Sequence, residues 1–104
     1  MTGRGTQPDS GRGSGRGPDR YEDRVQAGPG GVMTDEVGVI TGEVTVVTRS
    51  APGGRGAIDV QYTGAEEWYT LTGSPVPLPP GGLAALHTQV VDLLRRGGAA
   101  RTPR

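Results

Sequence analysis

Cysteine is missing from the 104-residue chain, and so are lysine, asparagine and phenylalanine. Without cysteine there is no disulfide, no thiolate metal ligand and no thiol nucleophile, so packing and hydrogen bonds alone must hold any core. The other three absent residues have AT-rich codons, and their loss beside 20 glycines and 9 prolines points to a high-GC, actinobacterial type of coding sequence. Arginine standing in for lysine then reflects codon supply as much as any need for a bidentate guanidinium. Long apolar runs are lacking too. A membrane-spanning helix needs about 20 predominantly apolar residues, and the first apolar pair, Val32-Met33, is too short for the core of a secretory signal. The expectation is a cytoplasmic protein with no membrane partner. Eleven basic residues against eleven acidic ones leave no net charge, so bulk electrostatics selects no polyanionic partner.

Residues 1–31 carry little that could be buried. Up to Gly30 there are eight glycines and three prolines, with Tyr21 and Val25 the only sizeable apolar side chains. Such a composition does not offset the entropy lost on ordering, so a disordered Gly/Arg-rich tail that is dispensable for folding is expected. Gly3-Arg4-Gly5, Gly11-Arg12-Gly13 and Gly15-Arg16-Gly17 repeat one unit, in the manner of arginine-glycine segments that bind single-stranded nucleic acid. Asp9, Asp19, Glu22 and Asp23 cancel most of that charge, which favours a soluble spacer.

The pattern changes at Val32, and residues 32–97 read as one small domain. Glu36 to Arg49 is rich in valine and threonine, but its alternation changes phase at Thr41-Gly42. A bulge within one bent strand, with Ile40, Val44 and Val46 inward, is preferred over a turn between two strands. Ala57 to Thr63 alternates cleanly as a half-buried strand, and Trp68 to Thr72 holds strand-favouring types. Pro75, Pro77, Pro79 and Pro80 then keep the chain extended. From Leu83 to Arg96 the apolar residues Leu83, Leu86, Val90, Val91 and Leu94 recur at helical spacing, with Arg95 and Arg96 at the negative end of the dipole and Gly97 as a stop. Residues 98–104 are expected to fray. The predicted fold class is α+β: a three-stranded antiparallel sheet, in the order β-β-β-α, with the C-terminal helix on one face.

Catalytic groups are sparse. His87 is the sole candidate base near neutral pH, and no acid stands at the neighbouring helical spacings, so it reads as a partly buried helix residue whose loss changes little. Glu66 and Glu67, adjacent in a turn, would point apart on a strand. Gly53-Gly54-Arg55-Gly56 precedes a strand, whereas a phosphate loop precedes a helix. No cofactor, metal or enzymatic activity is expected.

One helix covers one face of a sheet, so the other face must be polar or meet a partner. In a strand, Trp68 and Thr70 share the side opposite Tyr69 and Leu71. Two hairpin registers are open: Val60 opposite Leu71 sends Tyr69 and Leu71 to the core, and Tyr62 opposite Trp68 buries the tryptophan. The first pairs aliphatic with aliphatic and puts Trp68 beside Val47 on the uncovered face. The expected function is a small non-catalytic interaction or regulatory protein, forming a homodimer or binding a protein partner, with Trp68, Thr70 and Val47 as the candidate interface. The alternative is a nucleic-acid binder using Arg4, Arg12, Arg16, Arg49 and Arg55.

Overall fold

In the computed structural model, which describes residues 15–17 and 19–103, the chain forms an antiparallel α+β fold with one helix. The central strands overlap two of those read from the sequence, with different bounds. β5 (Glu43–Ala51) and β6 (Arg55–Tyr62) pair so that Val46 lies opposite Val60 and Thr48 opposite Ile58. Their inward side chains Val44, Val46, Ile58 and Val60 are fully buried.

The sheet is wider than three strands because the expected tail supplies two of them. β1 (Gly15–Gly17) and β2 (Arg20–Gln26) pair with each other, and β2 pairs along its whole length with β5, placing Val25 opposite Val44 and Asp23 opposite Val46. Valine at position 25 is buried, which stabilises the fold by about 1.5–3 kcal/mol relative to an exposed side chain. The tail expected over residues 1–31 is therefore part of the domain from Arg20 onward, and only positions 1–14 and 18 of it lie outside the described residues. Its polar composition suits a strand with one wet face: Tyr21, Asp23 and Val25 turn inward while Arg20, Glu22, Arg24 and Gln26 turn outward.

Thr41-Gly42 does not bulge a single strand. β3 (Val32–Thr34) and β4 (Gly38–Ile40) form a separate two-stranded ribbon, and the chain passes into the main sheet after Gly42, whose φ of 90° is accessible to glycine. Ile40, Val44 and Val46 are nonetheless all buried as expected. On the far side of β6, β7 (Tyr69–Thr70) sets Tyr69 opposite Val60, and β8 (Val76–Pro77) pairs with the start of β6. The register differs by two residues from the expected pairing of Val60 with Leu71. A two-residue shift preserves the faces, so Leu71 is buried and Trp68 looks outward. The strand path is β1-β2-β5-β6-β7, with β8 also on β6.

Helix α1 (Gly82–Arg96) lies across β2 and β5 through Leu83, Leu86, His87, Val90, Val91 and Leu94. Arg96 pairs with Asp92 at 2.6 Å, one turn back. Within the segment expected to fray, residues 98–103 are held in place, and Arg104 lies outside the described residues. Gly98, Ala99 and Ala100 donate backbone hydrogen bonds to Pro29, Gly30 and Gly31, and Thr102 donates to the Thr72 carbonyl. Ala100 and Thr102 are buried. Two glycines permit this seam: a Cβ on Gly28 would stand 2.2 Å from the Arg95 carbonyl oxygen, and one on Gly97 would stand 2.3 Å from that of Pro29.

Deletion of residues 1–26 removes β2, leaves the backbone edge of β5 unpaired, uncovers the part of α1 that packs on β2 and is expected to abolish cooperative unfolding. A thermal melt with an unchanged midpoint would return this segment to the role of a dispensable tail. Gly28→Ala should cost about 3 kcal/mol in chemical denaturation, because the added methyl meets backbone that cannot rotate away.

Candidate functional site

Two polar constellations stand out, one on each face of the sheet. On the open face, Trp68 and Val47 line one cleft of about 350 Å³ together with Arg20, Arg49 and Asp59. Trp68 is 43% exposed, whereas Val47 is only 4% exposed, so the valine is a floor and the indole is the accessible surface. Arg49 Nε donates to Asp59 Oδ2 at 2.9 Å, and Arg20 pairs with Glu22 at 2.8 Å. Thr70 shares this face but is already engaged: its backbone N–H and hydroxyl both donate to the Glu36 carboxylate at 2.7 Å. These bonds hold Glu36 below the usual carboxylate range. The Tyr69 hydroxyl donates to Glu67, which pushes the phenol above its ordinary value.

Of the candidate nucleic-acid residues, only Arg49 and Arg55 have described side chains, and each is engaged with a separate partner. Arg4 and Arg12 lie outside the described residues, and Arg16 is described only as backbone in β1. Arg49 is paired with Asp59, and Arg55 donates to the Pro52 carbonyl within its own hairpin loop. Arg20, placed in the tail by composition, is the arginine that joins Arg49 beside the indole.

Beneath the helix, His87 is buried and spans two strands. Its Nε2 lies 2.8 Å from Asp23 Oδ2 of β2, its Nδ1 lies 2.8 Å from Thr48 Oγ1 of β5, and Tyr21 stacks on the ring at 5.6 Å between centroids. A carboxylate only accepts, so the Nε2–H donates to Asp23, while Nδ1 and the Thr48 hydroxyl share the second hydrogen bond. Hydroxyl, imidazole and carboxylate in series is the order that activates a nucleophile. Thr48, however, is 0% exposed, so its hydroxyl meets no substrate and the chain of bonds serves to fasten β2, β5 and α1 together. The reading of His87 as a helix residue of little consequence is thereby corrected. It missed the acid because Asp23 lies 64 positions away in a segment taken for tail. The available signal was the odd-position alternation of Tyr21, Asp23 and Val25.

Comparison with known protein families, with characterised proteins and with solved structures finds no match.

Truncating His87 leaves the buried Thr48 hydroxyl without its partner, and His87→Ala should cost about 2 kcal/mol in urea denaturation. A midpoint equal to wild type would contradict the bridging role. Glu36 supplies a second test. Its folded pKa is depressed, so its stabilising contribution is complete above the unfolded value and is lost as pH falls through the folded one. In an NMR titration the Glu36 carboxyl should titrate below an ordinary glutamate, and Glu36→Gln should remove that share of the acid dependence of unfolding. An ordinary midpoint for Glu36 would show that the bonds to Thr70 are not held in solution.

Proposed function

We propose that this is a small non-catalytic interaction protein that self-associates through the open face of its sheet, around Trp68. The observation that carries the proposal is the exposed indole standing over a buried valine floor. Large rigid rings bury much area at little entropic cost and anchor interfaces for that reason. A second copy is the occupant that suits the surroundings. Arg20 with Glu22 and Arg49 with Asp59 set both signs of charge around the ring, and a patch of mixed sign can complement itself across a two-fold axis. A polyanion would meet arginines already neutralised by carboxylates, which weighs against the nucleic-acid alternative. A cytoplasmic setting remains part of the proposal; among the described residues no helix is long and apolar enough to cross a membrane.

Sedimentation equilibrium of wild type and Trp68→Ala tests this reading, with quenching of the single tryptophan in parallel. The wild type should associate as concentration rises while its indole becomes shielded from quencher, and Trp68→Ala should remain monomeric. Constant monomer mass with an equally quenched indole at every concentration would refute self-association. Salt-sensitive binding of a single-stranded oligonucleotide that Trp68→Ala abolishes would replace it with the nucleic-acid reading.

A further inference from the structure

A groove of about 540 Å³ runs between the proline segment, the first half of α1 and the C-terminal segment. It shares no lining residue with the Trp68 cleft. Val76, Leu78, Pro79 and Leu86 give it apolar walls, and Gln89 and Arg101 are polar groups on its lining. Arg101 is the one charged residue among those lining the groove. Among the described residues the Arg101 guanidinium has no ion pair or hydrogen bond, in contrast to Arg20, Arg49 and Arg96.

The walls are fixed before any ligand arrives. Val76 and Pro77 are paired with Gly56 and Arg55, the Leu78 N–H donates to the Gly54 carbonyl, and the Thr102 N–H donates to that of Thr72. Prolines at 77, 79 and 80 restrict the backbone further. A concave apolar surface of this volume with a few polar groups has the make-up of a small-molecule site, and rigid walls lower the entropic cost of filling it.

We propose that this groove binds a small amphipathic carboxylate, its hydrocarbon body against Val76, Leu78, Pro79 and Leu86 and its carboxylate on Arg101. The charge follows from Arg101, a cation without a partner among the described residues, and from a lining that holds no acid among them. The carboxylate follows from the planar guanidinium fork, which matches two coplanar oxygens. The body follows from the walls, where each fully covered methylene raises affinity by about fourfold. This site is independent of the interface around Trp68.

The test is an NMR titration of amide resonances in the full chain with decanoate, decanol and acetate, each below any micelle-forming concentration. Decanoate should give saturable shifts at Gly73, Leu86, Gln89 and Thr102, with the Trp68 indole unmoved, and acetate should not saturate. Arg101→Gln, an exposed substitution, should weaken decanoate by about tenfold and leave decanol as it was. Gln89→Trp, on the exposed side of the helix, should fill the groove and abolish both. Absence of saturable shifts would overturn the proposal, as would equal affinity for decanoate and decanol in the wild type, or decanoate binding that neither variant alters.

Discussion

A single buried imidazole ties together the three elements on which the domain depends. His87 rises from the helix, donates its Nε2–H to Asp23 on β2 and shares a hydrogen bond between Nδ1 and the hydroxyl of Thr48 on β5, with Tyr21 against its ring. In a chain with no cysteine and a small apolar inventory, packing of α1 on valines alone would leave β2 weakly specified, since β2 contributes one buried aliphatic residue. The bonds from His87 fix its register by chemistry instead. A slip of one residue would carry Asp23 to the open face and bring Arg24 or Glu22 beneath the helix. Satisfied buried polar groups strengthen one another at low dielectric and are costly when half-satisfied, so the bridge favours a single arrangement.

The backbone seam at the end of the helix completes that arrangement. Residues 28–31 and 97–100 approach closely enough that Gly28 and Gly97 have no room for a side chain, and a row of main-chain hydrogen bonds joins them. The β3–β4 ribbon and the segment around Ala100 then extend the cover that α1 begins on β2 and β5. One helix is thus enough for a sheet much wider than it could cover by itself. The opposite face keeps charged and hydroxyl side chains, with Trp68 as its exposed aromatic residue, which directs attention there for association.

Much of this was legible in the sequence where the periodicity was strong. The helix and its buried stripe and the β5–β6 pair follow from alternation and helical spacing among valine, isoleucine and leucine, whereas alternation left two registers for Trp68 and only the matching of aliphatic with aliphatic favoured its outward face. What composition hid were elements whose order is owed to distant partners. β2 looks like tail because only one of its three inward side chains, Val25, is aliphatic, and it is ordered by β5 and His87 instead of by local propensity. Residues 98–103 look frayed because glycine and alanine bury little side chain, and what fixes them is backbone bonding to residues 29–31 and 72. The change of sheet at Gly42 was visible as a phase shift. A bulge and a turn produce the same shift, so alternation could not separate them.

Native-state hydrogen exchange tests most directly whether β2 belongs to the cooperative core. Ala27 donates to the Gly42 carbonyl, which sets the β2 amides of Tyr21, Asp23 and Val25 toward β5. If His87 locks this strand to the domain, these amides exchange only through global unfolding, with the same free energy as those of Val46 and Val90 and the same loss in His87→Ala. Exchange of the β2 amides near the unprotected rate, while Val46 and Val90 stay protected, would contradict the account.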